Sequence, residues 1–304
     1  MRKSHVFTAI FMDTLVSIEI VSHLSVEECS ERVERAFSWF ESVEKHCSRF
    51  DPGSELRTLC GRAGAPVVVS PLLYSVIEFA LTVARESHGA FDPTLGHALE
   101  SKGFNQNYLT GERFSSSREI SEPYSFRDVV LDRTHRSVTL LKPMLLDLGA
   151  VAKGFAMDLA AQELKCFEDF ALNAGGDVLV RGMSLEEVPW RIGIQHPRQA
   201  NELLDVVSVS DRAVCTSGDY ERLSPAADGG HHIFEPRSGR SATEAASVTT
   251  IAETAMLADA LSTAAFVLGP VQGIRLLERQ GVDGLIVTPK SERYATAGFS
   301  RYRA

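Results

Sequence analysis

The sequence predicts an α+β protein with mixed, largely antiparallel sheets packed against helices. Two observations predict it. Short runs of apolar–polar alternation sit in neighbouring pairs, as hairpins require, and helical periodicity falls in separate blocks instead of between every two strands. A third bounds it: 304 residues at 44% hydrophobic and 23% charged are ample for a core and ordinary for a globular chain.

Each element has its own signal. Met1 to His5 leads into a first strand, and Val16, Ile18 and Ile20 alternate with polar neighbours in the next. Ser25 followed by Glu28 is a capping-box pattern, and Val26, Cys29, Val33, Phe37, Phe40 and Val43 repeat behind it at helical spacing. Ser70-Pro71 offers an N-cap and an N1 proline for a second helix, whose buried stripe is Leu73, Val76, Ile77, Ala80 and Ala84 and which stops near Gly89. Residues 97 to about 126 are rich in Ser, Gly, Asn and charge, which predicts an irregular insert. A hairpin is expected from Val129–Leu131 and Val138–Leu141, then a helix from about Ala150 to Leu164. Strands follow near 170–172, 177–181, 190–195, 203–209 and 213–216. The chain closes with a strand near 247–251, helices near 254–268 and 270–280, and a strand near 283–288.

Composition also excludes classes. Lys and Arg total 31 against 40 Asp and Glu, a net charge of −9, and no basic block offers a surface for nucleic acid. The most apolar stretch, Ala245 to Val271, is interrupted by Glu253 and Asp259, so no membrane span is expected. Five scattered cysteines without CxxC spacing argue against a disulfide framework or a structural zinc site. With Met1–His5 leading into a strand instead of a secretory signal, a cytoplasmic protein is expected.

Two segments could carry chemistry. Leu146 to Gly154 runs from a strand end through glycine into a helix start, where free N–H groups, the helix dipole and Lys153 favour an anion; a tight turn with a capping aspartate explains the same residues. Asp259 and Thr263 stand four apart on one helix face, a carboxylate and a hydroxyl suited to Mg²⁺. Alternatively, Thr263 bonds back to the Asp259 carbonyl while the carboxylate is solvated. Gly89–Thr94, Leu172–Asp177, Thr216–Arg222 and His231–Gly239 are polar loops, each readable as a turn or a site. His231 and His232 are neighbours in extended chain, so their rings point apart and do not share an ion. Ser217 lacks the GxSxG elbow of a serine hydrolase.

Taken in order, these segments resemble the ApbE family, the FAD:protein FMN transferases. The carrying residues are Met12-Asp13-Thr14, Ser48-Arg49-Phe50 with Ser54-Glu55-Leu56, Gly89 to Thr94, Asp147 to Gly154, Leu172 to Asp177, Ser217 to Tyr220, His232 to Gly239 and Ala258 to Ala264. The likeness spans about residues 5 to 290, which implies one ApbE-like, T-fold-related domain. It implies a Mg²⁺-dependent enzyme that cleaves FAD, transfers FMN to a Thr or Ser hydroxyl of a target protein and releases AMP. On the resemblance, Asp259, Thr263 and the carbonyl of Ala150 hold the metal. Met12, Phe50, Ala90, Phe91, Asp92, Asp147, Lys153 and Ile233 line the FAD site, and His232 takes the hydroxyl proton. Two residues depart from the pattern. Asp13 replaces a glycine and is expected to crowd FAD, and Glu235 replaces an aspartate with one methylene more. Two alternatives stay open, an FAD pyrophosphatase giving FMN and AMP, and a flavin-binding protein without catalysis.

Overall fold

In the computed structural model, which describes residues 1–106, 111, 113–114, 122–224 and 230–304, the chain opens with a hairpin. Its strands β1 (Lys3–Phe11) and β2 (Thr14–Ser22) pair from Lys3–Ser22 to Phe11–Thr14. There follow α1 (Val26–Cys47), α2 (Glu55–Cys60), β3 (Val67–Val68), α3 (Pro71–Glu86), α4 (Gly96–Ser101), β4 (Val129–Asp132) and β5 (Ser137–Leu140). The middle of the chain is α5 (Gly149–Glu163), β6 (Asp169–Ala174), β7 (Asp177–Arg181), β8 (Trp190–Gln195), β9 (Leu203–Val209) and β10 (Arg212–Gly218). The last part is β11 (Phe234–Glu235), β12 (Arg240–Ser241), β13 (Ser247–Ala252), α6 (Ala255–Arg279), β14 (Asp283–Val287) and β15 (Arg293–Ala295).

Eight strands form the central sheet in the order β1-β2-β6-β7-β10-β13-β14-β15. Among the described residues every named strand pairing is antiparallel, in keeping with the expected α+β fold of largely antiparallel sheets. Side chains alternate across the sheet and build one core on each face. Val16, Ile18 and Ile20 point toward the helices and are fully buried there with Phe40, Ile77, Met157 and Phe266. Val21, Val180, Val214, Ile251 and Leu285 point the other way, under the β8–β9 hairpin and Phe299.

The helices start where the sequence places them. Ser25 accepts from the Glu28 N–H while the Glu28 carboxylate accepts from the Ser25 N–H at 2.7 Å, a complete capping box. Ser70 caps α3 with Pro71 at its first position, and all five residues of the expected stripe are buried. On α1 the expected stripe has two exceptions, Val26, exposed at the helix start, and Phe37, half-buried. The expected break near 268–270 is present: Gly269 takes φ +70° and Pro270 follows, kinking α6 between two helical halves. By length and apolarity α6 could cross a membrane, but here it packs against β10, β13 and β14 in the core.

Other expectations need correction. The irregular insert begins with a short helix, α4, that buries His97, and part of it (107–110, 112 and 115–121) lies outside the described residues. The helix α2, capped by Ser54, and the short strands β3, β11, β12 and β15 carry too few residues to show a period in sequence.

Candidate active site

A cavity of about 500 Å³ opens beside the helix face of the sheet, a size typical of small-molecule and cofactor sites. All twelve residues singled out from the sequence line it: Met12, Phe50, Ala90, Phe91, Asp92, Asp147, Ala150, Lys153, His232, Ile233, Asp259 and Thr263.

The β1–β2 turn supplies one wall. Met12 and Asp13 both have positive φ, +50° and +59°, between the paired Phe11 and Thr14. A two-residue hairpin turn of this kind requires left-handed backbone at both positions. That explains why glycine suits position 13, and aspartate is among the few other residues that tolerate the conformation. Asp13 lines the cavity, and the Met12 N–H is held by the Glu44 carboxylate at 3.1 Å. Burial, with Asp13 and Asp51 adding to it, raises the Glu44 pKa.

Next comes the loop after α3. Asp92 Oδ1 accepts from the Thr94 N–H (2.9 Å) and hydroxyl (2.7 Å), and Oδ2 accepts from the Phe126 N–H at 3.2 Å. Asp92 therefore staples its loop as well as facing the cavity. The Phe91 ring is largely sunk in the core, so the half-buried Phe50 offers more open ring surface. The Arg49 guanidinium lies 4.1 Å from the Phe50 ring centre.

Arg49 also pairs with Asp147 and donates to the Phe104 carbonyl at 2.6 Å. Burial alone would raise the Asp147 pKa, but Arg49 and the Gly149 N–H outweigh it and hold the carboxyl below its usual range. The start of α5 is less open than the sequence suggests. Gly149 N–H goes to Asp147 Oδ1 at 2.8 Å, and the Val151 and Ala152 N–H groups go to the Leu148 carbonyl. The reading of a turn capped by aspartate thus describes the backbone, and the anion reading must rest on side chains. Lys153 is paired with buried Asp177; burial opposes its charge, but Asp177 and Asp259 outweigh that and hold the ammonium above its ordinary range.

On α6, Asp259 is only 7% exposed, and its Oδ2 has no hydrogen-bond partner. Burial raises its pKa to about 7, with Lys153 opposing and Asp177 reinforcing the rise. The solvated aspartate of the alternative reading is absent, and the bond to the Asp259 carbonyl comes from Ser262, at 2.8 Å. Thr263 Oγ1 instead lies 3.1 Å from Ser217 Oγ, which is 2.7 Å from Ser262 Oγ.

The histidines diverge as expected. His231 Nε2 bonds the Ala242 carbonyl at 2.8 Å and its ring meets Phe266, a structural role. His232 faces the cavity, with its Nδ1 buried and lacking a hydrogen-bond partner. Although the residue is only half-buried, the enclosure of its ring, then Arg222 and His231, push its pKa down to about 3. Glu235 stands apart from the cavity lining. Its carboxylate accepts from the Arg237 (3.0 Å) and Ser238 (2.7 Å) N–H groups and so caps the β11–β12 turn.

Charge decides what this cavity can hold. Six acids line it (Asp13, Glu44, Asp92, Asp147, Glu221 and Asp259) against three bases, Arg49, Lys153 and Arg222. Two of those bases are matched by Asp147 and Asp177. A phosphate-bearing ligand needs further positive charge here, and the orphaned Asp259 oxygen is where a cation fits. Among the described residues no three His, Cys, Asp or Glu side chains gather as a metal cluster. The available donors are one carboxylate, one hydroxyl and a backbone carbonyl, hard oxygens that suit Mg²⁺ completed by water and substrate, not zinc. Glu44 was in no motif picked out from the sequence, and Arg49, Asp177 and Arg222, although they lie in such motifs and loops, were given no role there. Arg49 and Asp147 are 98 residues apart, so no local pattern connects them.

Comparison with known proteins adds independent findings. The ApbE family pattern matches residues 12–286. An FAD:protein FMN transferase of Treponema pallidum (strain Nichols) is 34% identical, over 94% of this chain and 84% of that protein. One from Haemophilus influenzae is 25% identical over 93% and 82%. The crystal structure of the ApbE protein of Thermotoga maritima superposes with a TM-score of 0.88 at 31% identity, covering 99% of this chain and all of that one. The Pseudomonas stutzeri flavinyl transferase ApbE, in its apo form, gives 0.82 at 26% identity, over 99% and 97%.

Proposed function

Because the chain belongs to the ApbE family, we propose that it is an FAD:protein FMN transferase that depends on Mg²⁺. FMN passes from FAD to a Thr or Ser hydroxyl of a target protein, and AMP leaves. The observation that carries this reading is a cavity whose charge balance is acidic, which holds an orphaned, buried carboxylate oxygen on Asp259 and is also lined by Thr263 and Ala150. Such a site accepts a pyrophosphate only together with a divalent cation.

Asp259, Thr263 and the Ala150 carbonyl would hold Mg²⁺, which when bound neutralises the pyrophosphate and polarises its phosphorus. Arg49 keeps Asp147 ionised and fixed, while Phe50 and Ile233 give apolar surface to flat rings. In the transfer, the acceptor oxygen forms a bond to the FMN phosphorus as the bond from that phosphorus to the AMP oxygen breaks. The hydroxyl proton goes to the His232 imidazole, which faces the cavity and is neutral there. A pKa of about 3 makes a poor base, and the negative charge of a pyrophosphate bound in the same cavity would act to raise it.

The test is to incubate the protein with FAD and Mg²⁺, with and without an acceptor protein carrying an exposed threonine. Flavin fluorescence that stays with the acceptor after denaturing electrophoresis, together with AMP, is the expected result. AMP and FMN at the same rate without acceptor would replace transfer by hydrolysis, and bound FAD without AMP would replace both by binding.

A further inference from the structure

Asp158 does not line the cavity, and no step above uses it, yet its contacts bear directly on the candidate metal ligands. It sits on α5, and its two oxygens accept from the first two N–H groups of α6: Ala255 at 2.8 Å and Met256 at 3.0 Å. Burial raises its pKa to about 6 despite those two bonds, so the carboxylate is held where its charge is costly. One turn back along α5, a Cβ on Gly154 would stand 2.5 Å from the Ala255 carbonyl oxygen and 2.6 Å from Met256 Cα. The two helices therefore meet backbone to backbone at this point. The Gly154 N–H also bears on the Asp259 carboxylate.

These contacts define a register. Ala150, Gly154 and Asp158 form one stripe of α5 at a spacing of four, and Ala255, Asp259 and Thr263 form the matching stripe of α6. Asp158 accepts from the Ala255 and Met256 N–H groups, and Gly154 lies against the same Ala255–Met256 backbone while its N–H bears on the Asp259 carboxylate, so α5 holds the first turn of α6 from its N-terminus to Asp259. Ala150 and Thr263, at the far ends of these stripes, both line the cavity.

We infer that Asp158 is a positioning residue: by pinning the start of α6 to α5, it fixes the register that brings the oxygens of Ala150, Asp259 and Thr263 together for a divalent cation. The inference rests on the metal reading above. It differs from an ordinary helix cap, a role that Thr254 already fills by accepting from the Leu257 N–H at 3.3 Å.

The experiment measures Mn²⁺ affinity of the full chain by electron paramagnetic resonance, without FAD and so without turnover. Asp158→Ala is expected to weaken Mn²⁺ binding about tenfold or more, and Asp158→Asn, which keeps one acceptor oxygen, about threefold, in line with residues that orient metal ligands. Thr254→Ala, which removes a cap from the same helix but leaves the tether to α5, should stay within about twofold. Wild-type Mn²⁺ affinity in folded Asp158→Ala would overturn the inference, as would an equal loss in Thr254→Ala. If Asp158→Ala does not fold, unchanged affinity in Asp158→Asn overturns it. A wild-type protein that binds no Mn²⁺ removes the metal reading and this inference together. A response of Mn²⁺ affinity to Asp158 in a protein that transfers no flavin upholds the inference and removes only the transfer.

Discussion

Helices α1 and α6 are the longest in the protein, and they bury themselves in different ways. Buried residues on α1 are Cys29, Val33, Ala36, Phe40, Val43 and Cys47, steps of four and three that make one stripe, while the opposite face carries glutamates into solvent. Helix α6 is covered by α5 on one side and by β10, β13 and β14 on others, and nearly every residue from Ala258 to Phe266 is buried. Within that stretch it nonetheless keeps Asp259, Ser262 and Thr263. Packing accounts for every buried position of α1. It does not account for a carboxylate with an orphaned oxygen inside α6, because burial of such a group costs free energy unless something pairs with it. The contrast separates a helix explained by packing alone from one that, on the proposed function, also serves chemistry.

Substitutions on the two helices should therefore fail in opposite ways. The largest expected effect is Asp259→Ala, which should lower Mg²⁺-dependent AMP release from FAD about a thousandfold, the several kcal/mol a bound metal supplies. Its stability in urea should stay within about 1 kcal/mol of wild type, because relief of the orphaned oxygen offsets the lost Gly154 contact. Unchanged turnover would dissolve the distinction between the helices. Phe40→Ala on α1 is the mirror case. Phe40 is fully buried and stacked on Phe11 with ring centres 5.9 Å apart, so its truncation should cost about 3–5 kcal/mol in the same urea titration. Turnover per folded molecule should be close to wild type, and a large loss of activity at full folding would show that α1 also shapes the chemistry.

The same contrast explains what was legible in the sequence. The caps at Ser25 and Ser70, the stripes of α1 and α3 and the break at Gly269-Pro270 are local signals, and each marks its element within a few residues. Helix α5 has almost no polar face, and its placement followed from the glycine at its start, not from a period; the strand end expected just before it is absent, because β5 stops at Leu140. At the site, motif order picked out residues that the fold brings to one cavity, because each motif is local even though its partners are distant. The charge matching was not legible. Arg49 finds Asp147, Asp158 finds Ala255, and Lys153 finds Asp177 across 98, 97 and 24 residues, respectively, through sheet order and helix register that no window of sequence contains. The left-handed turn that position 13 must adopt was not legible either, and it leaves Asp13 lining the cavity. Glu235 looked like part of the site until its carboxylate proved to be occupied with its own turn.

The smallest effect tests the comparison most finely, because both helices begin with the same device. Ser25 caps α1 through the Glu28 N–H at 3.3 Å, in an exposed setting, and touches nothing beyond its own first turn. Ser25→Ala should cost about 1 kcal/mol of stability, the usual worth of a side-chain N-cap. It should leave AMP release per folded molecule unchanged, because α1 is held along its whole length by the stripe ending at Cys47, so fraying at Val26 does not move Phe50 or Glu44 at the far end. The start of α6 has an added tie that α1 lacks, the Asp158 carboxylate reaching over from α5, only four residues before Asp259. A drop in turnover with Ser25→Ala beyond its loss of folded protein would mean that disturbance at the start of α1 travels to the cavity, and then distance from the metal ligands would not be what separates the two helices.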